Sequence, residues 1–301
     1  PQRLQGFIQD LDRAPVAPLV EKANEQHYEV PARFFECVLG AHLKYSSAHW
    51  DGVDALDDAE AQALALSCDH AGLEDGQDVL ELGCGWGSLT LWMAAAYPNS
   101  KITAVSNSAS QREFIESRAI ERKLTNLQVI TADINHLALD QSFDRIVSVE
   151  MFEHLRNYRE IFDRVGAWLK PEGRFFMHIF CHKTIPYFFE DNDGSDWMSR
   201  HFFSGGMMPS ADLPLKFQDS LCFEKRWDWS GVEYQKTSEA WLNKLDAAHD
   251  DVFNIFSETY GRANAKMWVN RWRVFFMACA ELFGMHGGDE WRVCHYLFTK
   301  R

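Results

Sequence analysis

DVLELGCGWGSLTLWMA, residues 78–94, combines a short apolar strand ending at Leu82, a turn with glycines at 83, 85 and 87, and a helix starting near Ser88. Glycine at these positions lets the turn tighten and lets backbone approach a ligand that a Cβ would displace. A purely structural βα turn has the same spacing, and a GxG pair alone is a weak signal. The strand before it and the helix after it favour a nucleotide-type site.

Outward from this turn the pattern repeats. KITAVSN (101–107), LQVITAD (127–133), FDRIVSVE (143–150) and RFFMHIF (174–180) are short apolar runs separated by helical stretches. That alternation predicts parallel strands joined by helical crossovers, a doubly wound sheet. LKPEG (169–173) reads as a turn, and LCFEKRWDW (221–229) and WRVCHYLFTK (291–300) bring the expected strands to seven. Helical stretches lie around 238–261 and 271–284. Before the core, FFECVLGAHL (34–43) and the alanine-rich DDAEAQALALSCDHAG (57–72) read as helical, with a stop at Gly72. The expected division is an N-terminal helical cap over 1–72, a Rossmann-like core over 73–182, an aromatic, helical acceptor-binding cap with one core strand over 183–289, and a C-terminal core strand over 290–301.

The 44 acidic residues outnumber the 30 basic ones, for a net charge of −14. With no Lys/Arg-rich stretch to track phosphates, nucleic acid is disfavoured as a substrate. Seven scattered cysteines without a CxxC pair argue against a zinc module or a disulfide framework. No ligand spacing such as HExxH suggests a metal. No segment has the roughly 18 uninterrupted apolar residues of a membrane span, and PQRLQGFIQDLDR lacks a signal peptide's apolar stretch. The expectation is a soluble, cytoplasmic protein with a small-molecule acceptor and no integral membrane association, a homodimer being admitted.

The turn is GxGxG rather than GxGxxG, and the second strand ends Ala104-Val105-Ser106-Asn107 without a carboxylate, which disfavours NAD. An adenosine ligand could use Asn107 and Gln111 for its ribose and Asp133, at the end of the third strand, for its adenine. Asp133 serves equally well as the N-cap of a helix over INHL.

ELGCGWG, SNSASQ, ADI and VEMFEHL, in that order, resemble the class I methyltransferases related to cyclopropane fatty-acid synthases and coclaurine-type N-methyltransferases. HYEVPARFFECVLGAHLKYSSAHW (27–50) resembles the family's segment that closes over the methionyl end of the cofactor. HKT, FFSGGMMPSADL, YQKTSEAWL and ELFGMHGGDEWRVCHYLF extend the likeness over nearly the whole chain, and these later motifs look closer to the alkaloid N-methyltransferases than to the lipid enzymes. The resemblance implies S-adenosylmethionine as cofactor and S-adenosylhomocysteine as product. It places Tyr45 and Ser46 at the cofactor carboxylate, Gly83 and Gly85, with Gly87, in the turn at its backbone, Asn107 and Gln111 at its ribose, and Asp133 and Ile134 at its adenine.

In the synthases a Cys, Glu, His and Tyr set holds a bicarbonate ion that serves as base. This chain has Ser47 for the cysteine and keeps Glu153, His178 and Tyr234. The plant enzymes are expected to carry a Glu-His pair on the strand where this sequence has His178-Ile179. An ammonium acceptor must lose a proton before attack, so a carboxylate or imidazole near the sulfonium would serve as base. Glu153 and His178 are the first candidates, with His154 and His182 behind them. Glu153 could instead cap or salt-bridge within EMFEHLRNYRE, His178 could be a core histidine, and Tyr234 an exposed strand-end residue. The cap's aromatic residues, including Phe203, could attract a cation or simply fill the core. Trp197, in the polar context GSDWMSRH, is the ring least needed for packing and the best single acceptor contact. N-methylation of a small, aromatic or alkaloid-like amine leads. Methylene transfer to an unsaturated lipid, or cofactor binding without catalysis, are the alternatives.

Overall fold

The computed structural model describes residues 2–18, 30–190 and 197–301. Residues 27–29 of the N-terminal motif and 194–196 beside Trp197 lie outside them. Strands β1 (Asp78–Leu82), β2 (Lys101–Ser106), β3 (Leu127–Thr131), β4 (Phe143–Val149) and β5 (Leu169–His182) are parallel, and β8 (Leu221–Trp229) and β9 (Trp291–Lys300) complete one seven-stranded sheet. The order is β3-β2-β1-β4-β5-β9-β8, with β9 antiparallel to both neighbours. A two-residue pair, β6 (Tyr187–Phe188) with β7 (Met207–Met208), stands apart from it. The strands are continuous apolar runs because helices cover both faces: four of five residues in β1 and five of six in β2 are buried.

Strand order reverses between β1 and β4, the neighbours on either side of the first turn. There Leu82 pairs with Ser148, and the Ser148 hydroxyl donates to the Leu82 carbonyl at 2.9 Å. Open sheets bind ligands at such a switch point, beyond the carboxyl ends of the strands. The loops leaving β1 (83–87) and β4 (150–154) therefore frame the site.

Both flanks of the chain roof this edge. The helix Ala32–Val38 buries Phe34, Phe35 and Val38 against the C-terminal helices Gly231–Ala247, His249–Tyr260 and Arg262–Gly284, with Phe34 4.6 Å from Trp272 and 5.0 Å from Phe256 between ring centres. The helix Leu56–His70 ends, as the sequence predicts, before a left-handed Gly72 at φ +62°.

Two local expectations need correction. LKPEG is not an interruption before a strand. β5 already pairs at Leu169 with Phe143 and resumes at Arg174 with Arg145, so the residues between bulge out of a continuing strand. Tyr234 is not at a strand end but in the first turn of the helix Gly231–Ala247, capped by the Ser230 hydroxyl accepting from Val232 N–H. Among the described residues no helix is long and apolar enough to cross a membrane.

Candidate active site

Two adjoining cavities open at the switch point, sharing Gly83, Gly85, Gln111, Met151 and His154 in their walls. The smaller lies against the ends of β2 and β3, where Ser106, Asn107, Ala132 and Ile134 line it. The larger runs from Lys44, Tyr45 and Ser46 past Glu81 and the glycine turn to a wall of rings that includes Phe180, Phe203, Tyr234 and Phe275.

The glycines of the turn divide their work. A Cβ on Gly85, at φ +51°, would meet nothing within 4 Å and would project into open space where a ligand can lie. A Cβ on Gly87 would fall 2.6 Å from Ile115, so that glycine serves the packing of the helices Ser88–Ala96 and Ala109–Glu121, and it lines neither cavity. Gly85→Ala is expected to weaken cofactor binding at least tenfold while costing only the roughly 1 kcal/mol of a Cβ in left-handed backbone, whereas Gly87→Ala, which adds the clash with Ile115, should cost about 3 kcal/mol of stability and leave binding within a few-fold. Calorimetric titration beside thermal unfolding checks this division; equal losses in both variants would reject it.

Three of the four residues expected on the adenosine side line the cavities. Asn107 and Ile134 line the smaller cavity, and Gln111 lines both. Gln111 uses its Oε1 to accept from the Ser106 hydroxyl at 2.6 Å, leaving a buried Nε2 with no partner among the described residues. An orphaned donor on a cavity wall is what a ligand hydroxyl or carboxylate would satisfy. Asp133 is placed differently: its Oδ1 accepts from Asn135 N–H at 2.8 Å in a turn, no helix follows, and it lines neither cavity. Tyr45 and Ser46 line the larger cavity, Ser46 accepting from Lys44 Nζ at 2.6 Å.

The residues singled out for catalysis separate. Tyr234 reaches the cavity; His178 and Glu153 lie behind its wall. In their place stands Glu150, the first residue of the loop leaving β4, at φ +47°, a strained backbone for a non-glycine residue. Its Oε1 accepts from Ser47 N–H at 2.9 Å and from His178 Nε2 at 3.1 Å, and its Oε2 accepts from the Tyr234 hydroxyl at 2.7 Å. Burial pushes this carboxyl's pKa up, but the hydrogen bond from His178, then the charge of Lys44 and the Ser47 N–H, outweigh it and hold it below the usual range. Burial also lowers the His178 pKa, so a neutral ring donates to a carboxylate.

Glu153 goes the other way. Burial, then repulsion from Glu150, raises its pKa well above the ordinary value, and a protonated carboxyl results. Its Oε1 accepts from Phe180 N–H at 2.7 Å, and its Oε2 has no partner among the described residues. Two acids three residues apart thus hold one charge between them. The Ser47 hydroxyl is turned away to the Ala48 carbonyl at 3.1 Å.

His154 follows Glu153 and is part of the wall shared by both cavities. Its ring lies parallel to Phe203, centres 5.4 Å apart, and burial brings its pKa down to about 4 against the opposing charge of Glu150. Trp197 takes no part in this chamber. The helix Trp197–His201 turns Met198 onto the cavity wall and Trp197 outward to a surface groove with Met267 and Val274. Glu150 was legible in the sequence by the rule that selected Asp133, a carboxylate at a strand's carboxyl end. Its place beside the switch point makes it the stronger application of that rule.

A family model described as mycolic acid cyclopropane synthetase matches residues 19–293. (S)-coclaurine N-methyltransferase of Thalictrum flavum subsp. glaucum is 38% identical over 304 residues, covering 99% of this chain and 84% of its own. Cyclopropane-fatty-acyl-phospholipid synthase of Escherichia coli K12 is 31% identical over 271 residues, covering 89% and 66%. The solved structure of a coclaurine N-methyltransferase bound to N-methylheliamine and S-adenosylhomocysteine superposes with a TM-score of 0.96 at 37% identity, over 99% of this chain and 87% of that one.

Proposed function

This chain belongs to the mycolic acid cyclopropane synthetase family, and we propose that it transfers a methyl group from S-adenosylmethionine to the nitrogen of a small, aromatic, amine-bearing acceptor. The observation that carries the reading is Glu150: an ionised, buried carboxylate on the wall of a cavity otherwise rich in rings. A buried anion beside aromatic faces selects a cation, and a protonated amine supplies one. The likeness to an N-methyltransferase that holds an N-methylated ligand and S-adenosylhomocysteine supports the same reading.

The cofactor supplies an electrophilic methyl group. The open backbone at Gly85, Gly83 beside it on both cavity walls, the unpartnered Gln111 Nε2, Asn107 and Ile134 suit its nucleoside half, and Tyr45 and Ser46 suit its methionyl end. Glu150 attracts the acceptor's ammonium, Phe203 and Tyr234 enclose it, and His154, where the two cavities meet, takes the proton that frees the lone pair. Enclosure and orientation supply much of the remaining acceleration.

A bicarbonate ion does not fit. The groups that would hold it, His178 Nε2 and the Tyr234 hydroxyl, both donate to the Glu150 carboxylate, joined by the Ser47 N–H. A second anion there would sit against that charge without a free donor. This disfavours methylene transfer to a lipid chain and favours an acceptor that brings its own positive charge.

Mass spectrometry after incubation with S-adenosylmethionine and two acceptor pools, aromatic and alkyl amines or unsaturated phospholipids, tests the reading. A methyl group gained on nitrogen is the expected product; a methylene gained in a lipid chain overturns it.

A further inference from the structure

Glu150 is the inner end of a longer chain of contacts. His178 Nδ1 lies 2.8 Å from His295 Nε2, and His295 Nδ1 lies 2.8 Å from His70 Nδ1. His178 on β5 and His295 on β9 are paired residues in the sheet, and His70 ends the helix Leu56–His70 beneath it. Exposure rises from 1% and 0% at the first two to 8% at His70, whose ring stacks on Trp227 at 4.0 Å. Three histidines therefore join a cavity carboxylate, along one face of the sheet, to Trp227 on β8.

Each bond in the chain constrains the next. An ionised Glu150 needs a donor at His178 Nε2, which leaves His178 Nδ1 bare in the neutral ring. His295 must then donate from Nε2 and keep Nδ1 bare, and His70 must donate from Nδ1 and keep Nε2 bare. A second proton on His295 would set N–H against the N–H of His70. One tautomer at each ring satisfies all three contacts with neutral rings.

We propose that His295 and His70 are positioning residues for methyl transfer, locking His178 in the Nε2–H tautomer that aims and ionises Glu150. This rests on the reading of Glu150 as the anion that faces the acceptor. The charged and titratable groups around the chain are Asp69, Lys225 and His49 near His70, Lys44 and His49 near His295, and Lys44 with Glu150 at His178. Burial leads the causes that hold all three rings below the ordinary imidazole pKa, with His70 at about 4. The lock thus persists across the neutral range.

The test needs no acceptor in its first arm. In protein labelled with 15N-histidine, long-range proton–nitrogen spectra at pH 7.5, assigned with single variants, are expected to show His178 and His295 protonated on Nε2 and His70 on Nδ1. An Nδ1–H or doubly protonated His178 overturns the proposal, whatever the acceptor. The second arm compares His295→Gln, whose amide N–H can still donate to His178 Nδ1, with His295→Leu, which fills the space and cannot. The leucine variant should lose about tenfold in kcat/KM and move the acid limb of its pH profile up by about one unit, with the glutamine variant between it and the parent. Packing alone would favour leucine in this apolar strand, so a leucine variant as active as the glutamine one also overturns the proposal. If methylation of nitrogen itself is refuted while the tautomers are as stated, the failure belongs to the function and not to the lock.

Discussion

Replacing Glu150 with glutamine is expected to raise KM for an amine acceptor enough to lower kcat/KM about a hundredfold, with S-adenosylhomocysteine affinity held within a few-fold. Glutamine keeps the shape and can still accept from Ser47 N–H and His178 Nε2 through its carbonyl, and its amide can donate to the Tyr234 oxygen, so the wall should stay folded. What disappears is the charge. Removing one partner of a desolvated ion pair costs about 3 kcal/mol or more, because the other charge is left buried and unpaired. Here that other charge is the acceptor's ammonium and, at greater cost to the empty protein, Lys44, whose buried ammonium Glu150 helps to sustain against the desolvation that lowers its pKa to about 8. The pH profile gives a second readout. In the parent, activity falls on the acid side as Glu150 takes up a proton, and since its pKa is held below the usual range that limb lies at low pH. The glutamine variant should lose that component and keep only the fall from protonation of His154, whose pKa burial brings down to about 4. Binding titrations with S-adenosylhomocysteine, which carries no sulfonium charge, separate loss of acceptor recognition from loss of cofactor attraction. Unchanged kinetics for an amine acceptor would remove Glu150 from the acceptor site.

The sheet was legible because its determinants are local. Apolar runs of five to seven residues, followed by helical stretches after β1, β2 and β4 though not, as expected, after β3, are largely buried and admit few other topologies, and the turn at Gly83–Gly87 marks the first crossover. The position of the smaller cavity was legible for the same reason. Gly83, Gly85, Asn107 and Ile134 follow strand ends and Gln111 lies in the first turn of the helix Ala109–Glu121, and where a parallel strand ends is where its ligands lie. The acceptor half depends on distant packing. Glu153 and Glu150 are three residues apart in one loop, and only the approach of Ser47, Tyr234 and His178 from three other segments decides which is ionised. Trp197 and Met198 differ by one residue, and the helical turn they share decides which faces inward. The histidine chain joins positions 70, 178 and 295, whose spacing in sequence carries no pattern at all.

His154 is expected to contribute to turnover rather than to acceptor binding: His154→Ala should lower kcat about a hundredfold or more with KM for the acceptor little changed. The position argues for it, since this ring belongs to the wall of both cavities and so stands where the donated methyl and the receiving nitrogen must meet. So does its charge state. Burial holds its pKa at about 4, so above that pH the ring is neutral, the form a base requires. Neutral His154 is a weak base in isolation, but an ammonium held beside a sulfonium is itself acidified by the like charge, which narrows the gap between the two. The stacking of His154 on Phe203 offers a competing, purely structural role. The pH dependence separates them. A base is needed only while the acceptor arrives protonated, so the deficit of the alanine variant should shrink as pH rises toward the acceptor's own pKa, where neutral amine is supplied by solution. A deficit that stays constant with pH would assign His154 to packing and leave Glu150 as the proton's destination.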